Sequence, residues 1–315
     1  MTAIDEMKDV TVGQLLGELR RREAPEAERL TDVETPALVA ALLDKERVIY
    51  GVDDRQDMFQ VTNDKIRRDA DCVAALFSSS QVVDNGDGTV SITTSNFGTA
   101  FNLCATERFR NQPIGAFCSG FFVGKDLMVT AGHCVSAANV ADTWFVFGFR
   151  MKDATTPPNA RLEAYRGKEV VARTVDPNGA DYALVRLTRK IANHKAAKIR
   201  EAGKIKNNQQ VHVIGHPSGL PTKYAGGATV RDNSPGKFFV ANLDTYGGNS
   251  GSPVFNSRTH KVEGILVRGE TDFVSNGTCI VSKVCPTTGC RGEDCTRITE
   301  LSDLIDDLLE DEDDD

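Results

Sequence analysis

No apolar run in this chain of 315 residues comes near the roughly 20 residues that a membrane-spanning helix needs, so no membrane partner is expected. A cationic excess is missing as well. The formal charge is −8 at pH 7, and residues 306–315 hold eight acids and no base. Setting that tail aside leaves 37 acidic side chains against 37 basic ones. A neutral body lacks the basic footprint that a phosphate backbone selects, which excludes nucleic acid as the expected partner. No internal repeat is visible. The N-terminal stretch lacks the continuous apolar core of a secretion signal and is rich in charge, so the cytoplasm is the default compartment. Eight cysteines pull the other way, because disulfides are rare where thiols are kept reduced. Export by another route is the alternative. Cys279, Cys285, Cys290 and Cys295 are spaced x5, x4, x4, which does not match a usual zinc pattern of paired C-x2-4-C ligands, so disulfides rather than a metal are expected, with Cys72 and Cys104 left over. No metal and no cofactor are called for.

What is present concentrates near the C-terminal end, in Asp244-Thr-Tyr-Gly-Gly-Asn-Ser-Gly-Ser-Pro-Val-Phe255. A serine set between Gly248-Asn249 and Gly251-Ser252 has a backbone able to take positive φ. Successive N–H groups can then turn inward beside the hydroxyl. That suits a nucleophile whose attack creates an oxyanion, where one fixed donor is worth about 100- to 1000-fold in rate. A Gly/Ser-rich hairpin loop is the competing reading of this stretch alone. Two others break the tie: Val129-Thr-Ala-Gly-His-Cys134, and Asp181-Tyr-Ala-Leu-Val-Arg-Leu187 after the turn signal Asp176-Pro-Asn-Gly179. A serine hydroxyl needs a base within hydrogen-bond reach, and the base needs a partner that fixes its tautomer. His133, Asp181 and Ser250 supply those roles in that order. The α/β-hydrolases run serine, acid, histidine, and are excluded.

Through TAGHC, DYALVRL and GNSGSP the chain resembles the chymotrypsin-type serine peptidases. GGNSGSPVFN (Gly247 to Asn256) and Val48-Ile-Tyr-Gly-Val-Asp-Asp-Arg55 are most similar to the bacterial glutamyl-endopeptidase branch. The resemblance spans roughly Val48 to Ile298. It implies an all-β, chymotrypsin-like fold of two antiparallel six-stranded β-barrels, at about 48–190 and 205–298, with His133 and Asp181 on the first and Ser250 on the second. The pattern of short strands and turns from about Val73 onward, including the hairpin signal Asp84-Asn-Gly-Asp-Gly88, agrees with closed barrels. The implied oxyanion donors are the N–H groups of Gly248 and Ser250, and the implied disulfide joins Cys118 to Cys134. No cofactor is implied, and a monomer acting on protein or peptide is expected. A catalytically silent, triad-bearing binding protein is the second functional class.

Specificity is drawn two ways. Asp244 lies six residues before Ser250, where trypsin-like members carry the aspartate that binds Arg or Lys. The glutamyl branch uses a histidine on the strand after the serine, and Leu266 falls there, followed by Arg268 and Gly269. The expectation is therefore cleavage after Arg or Lys, with glutamyl specificity as the alternative, or a structural Asp244 neutralised by Arg268. His216, in a loop that could approach substrate, reads as structural; His194, His212 and His260 read as surface or strand residues.

Residues 1–47 carry two helix signals. Thr11-Val-Gly-Gln14 resembles a capping box before Val12, Leu15, Leu16 and Leu19, and Thr35-Pro36 precedes Ala37 to Leu43. A propeptide that inhibits the enzyme, an interaction module and a packing extension are the readings. Related zymogens are cut before a Val-Ile start, so processing is expected between Arg47 and Val48. Position 249 departs from the trypsin pattern, being Asn249 where an aspartate pairs with the new terminus. Residues 299–315 are expected to form a helix from Glu300 to Glu310, with Leu301, Leu304, Ile305 and Leu308 on one face, and a solvated acidic tail.

Overall fold

The structure is a computed structural model describing residues 49–310, except 52, 246, 270–272, 276–277 and 287. The helical signals of residues 1–47, the Arg47–Val48 junction and the last five acidic residues lie outside the described residues.

Twelve strands build two closed six-stranded antiparallel barrels. In the first, β1 (Val73–Ser78), β2 (Cys118–Gly124), β3 (Leu127–Thr130), β4 (Thr143–Phe147), β5 (Leu162–Val175) and β6 (Asp181–Leu187) hydrogen-bond in the order β4-β1-β2-β3-β6-β5. Pairing of β4 with β5, Phe145 opposite Tyr165, closes the ring. In the second, β7 (Gln210–Gly215), β8 (Lys223–Asp232), β9 (Phe238–Ala241), β10 (Pro253–Asn256), β11 (Val262–Arg268) and β12 (Glu293–Arg297) run β7-β10-β11-β12-β9-β8. Pairing of β7 with β8 closes it. Counted from each barrel's own first strand, the two cyclic orders are the same.

The sequence forms these strands for local reasons. β1 is an apolar run buried on both faces up to its last residue, which fits a barrel wall packed inside and covered outside. β5 is long enough to bend because two register shifts, between Gly167 and Glu169 and between Val170 and Ala172, interrupt its ladder with β6. The expected hairpin turn at Asp84–Gly88 is formed, with Asp84 opposite Val90. β12, by contrast, reads Glu-Asp-Cys-Thr-Arg and carries no apolar signal, yet all five residues are buried. It sits between β9 and β11, and its position in the barrel overrides its composition.

Each barrel has its own core. The first packs Leu76, Phe121, Val129, Phe145 and Leu184, and extends to Ile298, Leu301 and Ile305 of the C-terminal segment. The second packs Val211, Val230, Phe239, Val254 and Leu266. Two short helices frame the barrels: α1 (Asp64–Asp69), capped by the Asn63 side chain, and α2 (Ser302–Glu310), which buries Ile305. Between the barrels, the Asp181 N–H donates to Thr296 Oγ1 at 3.0 Å and the Ser119 N–H to the Ser250 carbonyl at 2.9 Å. Among the described residues no helix is long and apolar enough to cross a membrane.

Three disulfides form: Cys118–Cys134, as the resemblance implied, Cys104–Cys279 and Cys285–Cys290. Cys104 is thus no leftover, and Cys295 does not join its neighbours. Cys72 and Cys295 remain buried thiols, and burial pushes both well above the ordinary thiol range.

Candidate active site

His133 and Asp181 come from neighbouring strands of the first barrel. β3 and β6 pair with Thr130 opposite Ala183. The turn after β3 therefore delivers His133 beside the first residue of β6. Asp181 is fully buried and grips the histidine twice. Its Oδ1 accepts the His133 backbone N–H at 3.1 Å, and its Oδ2 lies 2.8 Å from His133 Nδ1. Burial alone would raise this carboxyl. The charge and hydrogen bonds of His133, with the Arg268 guanidinium 3.9 Å from Oδ2, outweigh it and hold the carboxyl below the usual carboxylate range. Nδ1 is thus the end of the ring tied to the acid, and Nε2 faces the other way. Among the described residues no hydrogen bond reaches Nε2, which is buried. In free enzymes such bonds are often long and tighten only with substrate.

Ser250 belongs to the second barrel and is also buried. Its carbonyl lies 3.8 Å from Cys134 Sγ, one residue from His133, and accepts the Ser119 N–H of β2. Gly248 adopts φ +87°, and a Cβ there would lie 2.6 Å from the His216 carbonyl, so only glycine fits. Among the described residues the Gly248 N–H donates to no acceptor, while its carbonyl accepts from Ser119 Oγ at 2.9 Å. The same hydroxyl accepts the His216 N–H at 3.0 Å. Ser119 thereby fixes the loop from both sides, and nothing in its apolar strand sequence marks it. His216 is structural: its Nδ1 donates to the Leu220 carbonyl at 3.0 Å, and burial lowers its pKa to about 3, keeping the ring neutral. Asn249 Oδ1 accepts from Ser252 Oγ at 3.3 Å, a bond internal to the loop.

Residues 118–265 match the family model of the trypsin-like peptidase domain. The matched stretch runs from β2 into β11 and contains His133, Asp181 and Ser250. No curated protein matches it in sequence. Among solved structures, the VesB protease of Vibrio cholerae aligns with TM-score 0.50 at 14% identity, over 84% of this chain and 68% of VesB. A Glu endopeptidase aligns with TM-score 0.49 at 16% identity, over 84% of this chain and all (100%) of its own. Human heparin binding protein gives 0.47 at 15% identity, over 77% and 92%. At these identities the likeness to VesB speaks for the fold, the two-barrel chymotrypsin type.

Around this site the expected specificity residues divide. Asp244 is buried, but its Oδ1 accepts the Tyr50 N–H at 2.7 Å and its Oδ2 the Asp54 N–H at 3.1 Å. It fastens the start of the described chain. Burial keeps its carboxyl above the ordinary range against the pull of those two amides. Arg268 does not neutralise it. Its Nε lies 3.3 Å from Asp294 Oδ2, and its other nitrogens donate to the Asp176 and Gly179 carbonyls. Leu266 packs into the second barrel's core opposite Cys295, so its side chain lines no pocket. Gly269 leads instead to a residue the sequence did not single out: a Cβ on Gly269 would lie 1.7 Å from Glu293 Oε2. Glu293 is fully buried, and the same Oε2 lies 3.4 Å from Thr245 Oγ1. Thr245 lies on the serine loop and Gly269 just past the end of β11, and the Glu293 carboxyl lies between them.

Proposed function

We propose that this chain is a serine endopeptidase. The observation that carries the reading is the double hold of Asp181 on His133, with the buried Ser250 loop joined to the neighbouring strand. Ser250 Oγ attacks the scissile carbonyl while His133 Nε2 takes its proton. The negative charge that develops on the carbonyl oxygen is met by the N–H groups of Gly248 and Ser250. His133 then gives the proton to the leaving amine, and an acyl group stays on Ser250. Water, activated by the same nitrogen, releases the acid and restores the serine. Asp181 holds the tautomer and supports the imidazolium.

A fluorophosphonate probe tests this directly. Wild type is expected to be labelled and to cut peptides, with Ser250→Ala doing neither. Nε2 without a hydrogen bond to Ser250 favours one second reading, a silent binding protein. Absent labelling in a chain trimmed to begin at Val48 would select it.

The proposed substrate has Arg or Lys before the scissile bond. The buried Glu293 carboxyl, beside Gly269 and Thr245, is the proposed partner of that guanidinium or ammonium, and Asp244 instead holds the Tyr50 and Asp54 N–H groups. Glu293→Gln is expected to lower kcat/KM on such substrates at least about 30-fold with labelling retained. Asp244→Asn should chiefly lower thermal stability. The reverse pattern would return the pocket to Asp244, and cuts after Glu in wild type would overturn basic specificity. Processing between Arg47 and Val48 would fit such an enzyme acting on its own chain, freeing residues 1–47 as an inhibitor. Three disulfides support export as the setting.

A further inference from the structure

The neutral charge total of the body conceals one strongly basic hollow. A pocket of about 410 Å³ lies between α1, the inter-barrel connection at 195–198 and the β10–β11 hairpin. Lys65, Arg68, Lys195, Lys198 and Arg258 line it, all exposed, and Asp69 is its single acid. Among the described residues none of these five side chains enters an ion pair. The acid is already engaged, since Asp69 Oδ2 lies 2.5 Å from His260 Nδ1 and 3.2 Å from His212 Nε2.

Asp69, His212 and His260 have ligand atoms close enough to share a metal ion, but two observations argue against a cation there. His212 is satisfied without one, because its Nε2 meets Asp69 and its Nδ1 meets Ser257 Oγ at 3.1 Å. Five unpaired cations at the rim would also oppose a divalent ion, as like charges do in poorly screened concave sites. The same field favours an anion with several charges.

We propose that this pocket binds a compact oligophosphate. The volume is that of a small-molecule site, which suits a short, dense anion better than an extended acidic chain. Two arginines offer paired donors to phosphate oxygens, and three lysines add point charges. The site is separate from the triad, since the Ser250 loop enters β10 at Pro253 and the pocket lies beyond its other end, at Arg258 to His260. It does not depend on the peptidase reading.

Titration calorimetry of inorganic tripolyphosphate into full-length Ser250→Ala protein tests it. One-to-one binding is expected, weakening as salt rises. The double variant Lys198→Gln with Arg258→Gln should lose at least tenfold in affinity, while Lys152→Gln, elsewhere on the surface, should not. A nucleoside triphosphate binding equally would place recognition in the phosphates. One binding tenfold tighter would make an ester-linked oligophosphate the natural form. Tighter binding of a polyglutamate peptide would overturn the ligand class, as would binding seen only in a chain ending at Glu310. Weak binding unchanged in the double variant would overturn the site.

Discussion

Arg268 stands with Nη1 3.9 Å from the Asp181 carboxylate, and its Nε, Nη1 and Nη2 are bonded to Asp294 and the Asp176 and Gly179 carbonyls. It cannot leave the acid without breaking those bonds, so its charge is a fixed part of Asp181's surroundings. The linkage follows from the sign of the shift. An acid held below its unfolded value stabilises the fold above that value, and the contribution is lost as pH falls through the folded value. Arg268→Gln removes one of the lowering influences on Asp181, so the acid limb of the kcat/KM profile should move to higher pH. Superimposable profiles would mean that Arg268 serves only Asp294 and the carbonyls. At this scale the sequence was informative where chemistry is local. His133, Asp181 and Ser250 stand in short motifs whose neighbours announce them. Ser119 and Glu293 do not. Ser119 acts through contacts more than 90 residues away, at His216 and Gly248, and Glu293 sits in a strand without an apolar residue apart from Cys295.

The elements divide in a similar way. Strands with apolar runs, such as β2, β3, β6 and β11, were readable from pattern. β12 was not, because its polar side chains are satisfied by partners from other segments, as Arg297 is by the carbonyls of Gly236, Asn233 and Pro235. β2 and β3 form a hairpin whose far end is clipped by Cys118–Cys134, a separation of 16 residues. That clip secures both Ser119 and the turn bearing His133. Replacing both cysteines by alanine should cost about 3 kcal/mol in the loop-entropy picture and lower Tm by about 6 to 12 °C. An unchanged Tm would mean that the barrel wall already holds the hairpin. The C-terminal helix was legible from its apolar face, and it begins at Ser302 rather than Glu300 because Ile298–Glu300 takes a tighter 3-10 turn first.

At the scale of the molecule, the two barrels share a strand order but divide the labour. One carries His133 and Asp181, the other Ser250, its loop and Glu293, so the proposed site exists only where they meet. The family resemblance made this arrangement legible, whereas periodicity alone spoke only for many short strands. Apart from Cys118–Cys134, the pairing of cysteines was beyond both, because it depends on which loops the finished fold brings together. The bond between Cys104 and Cys279, 175 residues apart, encloses all three triad residues and most of both barrels in a single covalent ring. A protease that nicks the chain anywhere inside that ring opens it without releasing a fragment. Such a molecule would migrate as one band on a denaturing gel until a reductant is added, and the nicked halves would stay together for reassembly.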